Sequence, residues 1–116
     1  MLSGQIHGGI ARGVGQALYE HVVYDGEGQI LSGSFLDYAM PRADHLPPLD
    51  IHMRNTPCQN NILGIKGSGE AGAIGAPQAV IGAVCDALRI RHTDMPVTPQ
   101  KIFDILYNKQ VDREAV

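Results

Sequence analysis

Glycine placement constrains this 116-residue chain more than any other feature. Of its fourteen glycines, five fall between Gly4 and Gly15 and five between Gly64 and Gly75. A glycine inside a helix costs about 1 kcal/mol relative to alanine, so local preference explains neither cluster. Something, whether another stretch of backbone or a bound group, has to come close to both. Aromatic residues make up only 5% of the chain, with no tryptophan, and a domain of this length buries only roughly 60–68% of its unfolded surface. A dense core is hard to build from this chain alone, and support from other polypeptide is expected.

Between the glycines the hydrophobic pattern is readable. Ile6, Ile10, Val14, Ala17 and Leu18 recur at helical spacing, which predicts a helix over Gln5 to His21. Val22 to Tyr24 and Gln29 to Phe35 flank Asp25-Gly26, a hairpin signal. Leu49 to Arg54 alternates apolar and polar residues as a half-buried strand does. The intervening Leu36 to Pro48, with three prolines, reads as a surface loop. Pro77 suits a first helical turn, and Val80, Ala83, Val84, Ala87 and Leu88 continue an apolar stripe from it. Thr98-Pro99 reads as an N-cap and first position of a last helix ending near Tyr107, with Asn108 to Val116 frayed. The expected architecture is one α+β domain over residues 1–116. It has a glycine-rich first helix, a small mostly antiparallel sheet, a long helix after the second glycine cluster and a short C-terminal helix.

Composition excludes several roles. Nine Lys and Arg against twelve Asp and Glu give a formal charge of −3 with no basic patch, which argues against nucleic acid. The longest nearly uncharged stretch, Ala71 to Val84, is interrupted by Pro77 and falls short of the roughly 20 apolar residues a membrane span needs. The first residues lack the basic start and apolar core of a secretory signal, so a cytoplasmic address is expected. Cys58 and Cys85 then read as buried thiols rather than a disulfide. The five histidines are scattered without ligand spacing, and no metal-binding residue is expected.

Chemistry, if the chain carries any, points to two places. The first is Gly64-Ile65-Lys66-Gly67-Ser68-Gly69-Glu70-Ala71-Gly72, a loop whose glycines can bring backbone N–H groups close to an anion or a bulky cofactor. Glu70 is its one carboxylate. Small neighbours would leave it poorly hydrated and raise its pKa, as a general base near neutral pH requires. The same spacing also fits a solvated glutamate on a flexible turn. Gly67, Gly69 and Gly72 satisfy G-x-G-x-x-G as well, but no strand follows to complete a dinucleotide fold, so an independent nucleotide-binding domain is the weaker alternative. The second place is Gly4-Gln5-Ile6-His7-Gly8-Gly9, where free N–H groups and an amide at a helix entrance could bond a phosphate or a pterin edge. Helix packing against a neighbour fits these glycines equally.

Three segments in order, Gly4 to Tyr24, Gly33-Ser34-Phe35-Leu36-Asp37-Tyr38-Ala39-Met40-Pro41-Arg42, and Gly64 to Leu88, together resemble the C-terminal part of the large, molybdopterin-binding subunit of the molybdenum hydroxylases. These are the xanthine dehydrogenase, aldehyde oxidase and carbon monoxide dehydrogenase family, and the likeness is to the carbon monoxide dehydrogenase large-chain type. It spans about residues 4 to 107. The resemblance implies an oxidoreductase component acting on carbon monoxide, an aldehyde or an N-heterocycle with water-derived oxygen. It implies that Glu70 matches the active-site base, Gln5 a glutamine lying against the pterin, and Gly8, Gly9, Gly67, Ser68 and Gly69 backbone near the same group. The implied cofactor is molybdenum-molybdopterin in its cytosine dinucleotide form. Family subunits are several times longer, so the implied partners are the remainder of the large subunit, an iron–sulfur small subunit and an FAD medium subunit, with self-association of the isolated chain. The alternative is a noncatalytic binding or assembly module that keeps the fold without a complete reaction centre.

Overall fold

The computed structural model describes residues 1–114, the side chains of residues 109–114 excepted. Three helices carry the fold: α1 (Leu2–Leu18), α2 (Ala71–Leu88) and α3 (Pro99–Glu114), with a single 3-10 turn at Ala43–His45 between the first two. Among the described residues, the one extensive packing between elements is α1 against α2.

That pairing is built from backbone. Gly9 and Gly13 are buried on α1. A Cβ placed on Gly9 would lie 3.0 Å from both Ala73 N and Gly72 Cα, and one on Gly13 would lie 2.6 Å from Ala76 Cβ and 2.9 Å from Pro77 Cδ. From the other side, a Cβ on Gly72 would collide with the Ile6 carbonyl and approach Ile10 N to 2.9 Å. Contacts advance together along both chains, from Ile6 to Gly13 on α1 and from Gly72 to Pro77 on α2, so the helices run parallel with their N-termini at one end. Helices that approach this closely exclude side chains from the seam, and glycine at the crossing replaces the volume a Leu or Val would need.

The helix ends are closed locally. Tyr19 and Glu20 N–H groups both donate to the Gly15 carbonyl, at 2.9 and 2.8 Å. Val97 N–H donates to Ala17 O at 2.7 Å, satisfying a carbonyl that a helix C-terminus otherwise leaves open. Ala17 and Val97 are completely buried, so this junction is the centre of the small core. At the end of α2, Arg89 adopts a left-handed conformation (φ 51°) and donates to the Cys85 and Asp86 carbonyls, the usual way a helix is stopped without glycine. Thr98 caps α3 as its sequence suggests, accepting from Lys101 N–H at 3.3 Å, with Pro99 as the first helical residue.

Four expectations are corrected. The small antiparallel sheet is absent: among the described residues there are no strands, and the α+β reading gives way to three helices joined by long irregular segments. The hairpin survives only as one antiparallel bridge, Tyr24 to Ile30. Its turn is held by Asp25, whose carboxylate accepts from Glu27 and Gln29 N–H groups at 2.9 and 2.8 Å. The ladder stops because Val23 N–H donates to the Ser32 hydroxyl, at 2.9 Å, rather than to a facing carbonyl. Leu49 to Arg54 alternates with no strand beside it, and alternation becomes a strand only where a neighbour supplies the ladder. The first helix starts and ends three residues earlier than periodicity suggested. α2 begins at Ala71 rather than Pro77, which sits inside the helix; because Pro77 has no N–H, the Ala73 carbonyl loses its partner and faces the open side of Gly13, 3.4 Å from a Cβ there. α3 continues to Glu114 instead of ending near Tyr107; the last part of the stretch expected to fray, residues 115–116, lies outside the described residues.

Much of the chain is uncovered. Its radius of gyration is 18.6 Å, where a compact 116-residue domain has about 13 Å. Its accessible surface is 9346 Å², where a folded monomer of this mass exposes roughly 6,200 Å². Phe35, Leu36, Ile62, Leu63 and Ile74 are each at least 70% exposed. α2 is long and apolar enough by composition alone to cross a membrane, with a mean hydropathy of 1.4, yet one side of it is already committed to α1. An apolar surface this extensive is more than a folded monomer ordinarily leaves exposed.

Candidate functional site

The parallel pairing gathers the two glycine-rich places at one end of the molecule. Gln5 immediately precedes Ile6, whose carbonyl meets Gly72, and Glu70 is the N-cap residue of α2, two positions before Gly72. Residues 65 positions apart in the chain thus share the end where both helices start. The orphan N–H groups and positive dipole ends of α1 and α2 therefore point to the same side. In α2 that first turn is formed by the loop itself: Ala71 N–H donates to Ser68 O at 3.2 Å, and Ala73 and Ile74 N–H groups donate to Glu70 O at 2.9 and 3.2 Å.

The loop is anchored on its other flank by Asn61, whose side chain accepts from Ile65 N–H at 3.1 Å and donates to Ile65 O at 3.0 Å. Cys58 N–H donates to Gly64 O at 2.9 Å, and Gly64 takes a positive φ of 64° to make that turn. Between these anchors and the start of α1 lies an open cavity of about 580 Å³, lined by Leu2, Arg54, Asn55, Thr56, Pro57, Gly64, Lys66, Gly67 and Ser68. Two cationic side chains and no carboxylate line it. The sequence shows no basic patch because Arg54 and Lys66 are twelve positions apart and belong to different segments. The folding of the loop against residues 54–57 brings them together, and a lysine set among glycines was the one signal available.

The predicted site residues are distributed unevenly. Gly67 and Ser68 line this cavity. Gly8 lines a different one of about 490 Å³, between α1 and the Ala43 to Leu49 segment. Gln5, Gly69 and Glu70 are exposed and line neither. The poorly hydrated setting expected for Glu70 is not supplied by the described residues. Gly9 has an internal reason to be glycine, since it faces the backbone of Gly72 and Ala73.

Gly67 and Gly69 contrast with Gly9. A Cβ added to either would meet nothing within 4 Å, and neither has a positive φ. Gly4 and Gly8 are open in the same way. Neither internal packing nor backbone conformation calls for glycine at these positions, which leaves room for a body from outside the chain. With the paired helix starts and two cations beside them, the donors suit a flat, anionic group such as a phosphorylated pterin. Among the described residues no three His, Cys, Asp or Glu side chains gather closely enough to hold a metal ion, and both cysteines are free.

A second polar contact fixes the middle segment to the turn that follows α1. Tyr38 donates its hydroxyl to Glu20 at 2.7 Å. That bond, with desolvation and the nearby negative charge adding to it, raises the phenol pKa above its ordinary 10.0. Gly15 permits the approach: a Cβ there would lie 2.5 Å from Glu20 Oε1 and 2.8 Å from the Pro41 ring.

Comparison with known proteins gives consistent answers. A family model for a molybdopterin cofactor-binding domain matches residues 1–47. The sequence is 42% identical over 105 residues, 88% of this chain, to the nicotine 6-hydroxylase large subunit of Paenarthrobacter nicotinovorans, and covers 13% of that protein. It is 30% identical over 109 residues, 91% of this chain, to the carbon monoxide dehydrogenase large chain of Hydrogenophaga pseudoflava, covering 14% of it. The structure superimposes on quinoline 2-oxidoreductase from Pseudomonas putida 86 with a TM-score of 0.82 and 39% identity, over 90% of this chain and 14% of that one. The chain thus spans 13–14% of the length of these relatives.

Proposed function

Because the chain belongs to the molybdenum hydroxylase family, matching part of its large, molybdopterin-binding subunit, we propose that it supplies the base and part of the cofactor cradle of such an oxidoreductase. The observation that carries this reading is the parallel α1–α2 seam, which sets Gln5 and Glu70 at the same end of the molecule. Glu70 takes up a proton at its carboxylate during water-derived oxygen transfer to the substrate. Gln5 hydrogen-bonds the pterin edge through its amide, and Gly67, Ser68 and Gly69 let the group approach the loop. Gly8 contributes from its own cavity, and Gly9 contributes indirectly by seating α1 on α2. The cofactor, in its cytosine dinucleotide form, supplies the Lewis-acid and redox chemistry when bound.

The relatives named for nitrogen heterocycles are 42% and 39% identical, against 30% for the carbon monoxide dehydrogenase chain. That ordering favours an N-heteroaromatic substrate over carbon monoxide or an aldehyde. Glu70 and Gln5 become enclosed when the remainder of a large subunit covers the exposed apolar surface. The iron–sulfur small subunit and FAD medium subunit carry electrons away, in the cytoplasm. On its own the chain associates with itself through the same surface and turns over no substrate.

Co-expression with the remainder of a large subunit and the two smaller subunits, followed by hydroxylation assays on an N-heteroaromatic substrate, tests the reading. Glu70→Gln is expected to lower kcat by about 10²–10⁴, the usual contribution of a positioned base. Parent-level turnover by that variant would remove Glu70 from the chemistry. The exposure of both Gln5 and Glu70 favours one second reading, a noncatalytic assembly module. Absence of molybdenum and pterin from every purified complex would support it.

A further inference from the structure

We propose that Gly72 is a positioning residue, holding Glu70 in place relative to Gln5 by seating the first turn of α2 directly on the backbone of α1. The inference rests on the reading of Glu70 as base but concerns a residue outside the reacting set. Gly72 is one of the three seam glycines, and its environment differs from that of Gly13. A side chain at Gly13 would meet the Ala76 methyl and the Pro77 ring first, further along the seam from Glu70, with the Ala73 carbonyl at 3.4 Å. A side chain at Gly72 would have main chain as its three nearest neighbours: the Ile6 carbonyl, Ile10 N and Gly9 C. Main chain within a helix cannot yield locally, so the two helices would have to separate as bodies at that end.

That end is where the candidate site lies. Gln5 is covalently adjacent to Ile6, and Glu70 is joined to Gly72 through Ala71 alone. The α2 first turn is also pinned to Glu70 by the bonds from Ala73 and Ile74 N–H to its carbonyl, so a displacement at Gly72 is passed to Glu70 without slack. Gly9 touches the same point from the other helix but less tightly, its Cβ meeting Ala73 N and Gly72 Cα at 3.0 Å. The three positions therefore form a graded series: Gly72 is the most disruptive to the Gln5–Glu70 geometry, Gly9 is intermediate, and Gly13 acts further along the seam.

The test is Gly72→Ala, Gly9→Ala and Gly13→Ala in the assembled, cofactor-loaded complex, each compared at equal cofactor content. Gly72→Ala is expected to lower kcat by about 10²-fold, the cost of roughly 1 Å misplacement of a reacting group. KM should stay within about twofold, as when a transition-state interaction alone is lost. Gly9→Ala should lower kcat less, and Gly13→Ala should keep it near the parent value even while it lowers thermal stability. An independent readout on this chain is the nuclear Overhauser contact between Gly72 Hα and the Ile6–Ile10 backbone, which Gly72→Ala should abolish while the contact between Gly13 and Ala76 persists. Should Gly72→Ala fail to fold, the Gly9→Ala arm decides. Equal kcat losses across the series, or an unchanged kcat with the contact gone, would overturn the positioning role. Parent-level turnover by Glu70→Gln would instead overturn the base, leaving the measured Gly72 contact as a packing feature alone.

Discussion

Glycines do two opposite things in this chain. Along the α1–α2 seam, Gly9, Gly13 and Gly72 stand where any side chain would strike the partner helix. In the loop before α2, Gly67 and Gly69 stand where a side chain would strike nothing. The seam glycines are explained by the chain itself, whereas the loop glycines leave open the space that the cofactor is proposed to enter. The difference separates a residue that builds the fold from one that leaves space for function.

Gly13→Ala should show the larger of two opposite effects on the chain's own stability. Its methyl would overlap Ala76 Cβ and Pro77 Cδ, and forcing a methylene-sized group into a packed contact costs about 1–3 kcal/mol. Chemical denaturation of the isolated chain measures it. A control on the same helix should move the other way: a Cβ on Gly82 meets nothing within 4 Å, and glycine to alanine in an unstrained helix stabilises by about 0.4–1 kcal/mol. If both variants shift stability in the same direction, the seam is not sterically filled and the contrast fails.

A smaller effect probes how the irregular middle of the chain is tied to the turn that follows α1. Because the Tyr38 phenol has a raised pKa in the folded chain, folding favours its protonated form. The contribution is fully present below pH 10 and is lost as pH rises through the raised value. Tyr38→Phe should therefore be less stable than the parent at neutral pH, with the gap closing in strongly alkaline solution. A gap that stayed constant with pH would mean that the bond to Glu20 is not its source.

How far the sequence discloses the molecule follows the same division. Helices were legible where apolar residues repeat at helical spacing, as in α1 and the later turns of α2. The start of α2 was not, because Pro77 is an ordinary first-turn residue and only the close fit against Gly13 shows it tolerated mid-helix. The sheet was over-read because alternation along Leu49 to Arg54 records a two-faced segment without saying whether a strand lies beside it. Glu70 and Gln5 were legible as types in a pattern, and their sharing of one end was not, since it depends on backbone contact between residues 6 and 72. Arg54 as a partner of Lys66 was likewise invisible until the loop folded over it. The family resemblance covered what periodicity could not, since it rests on three motifs in order along the chain rather than on local spacing.

The smallest expected change in stability is the most telling. Gly67→Ala and Gly69→Ala, singly or together, should alter the stability of the isolated chain by no more than about 0.5 kcal/mol, as for surface substitutions without a structural role. In the assembled complex the same methyl groups would stand in the space the pterin is proposed to enter, so molybdenum and pterin retained through purification should fall while subunit assembly persists. The two measurements pull apart because the chain has no use of its own for glycine at these positions. If the variants destabilise the isolated chain instead, the loop packs in a way its open surroundings do not suggest, and its glycines belong with those of the seam. If neither stability nor cofactor content changes, no outside group comes within a methyl's reach of Gly67 or Gly69, and the cradle must be sought nearer Gly8 and the start of α1.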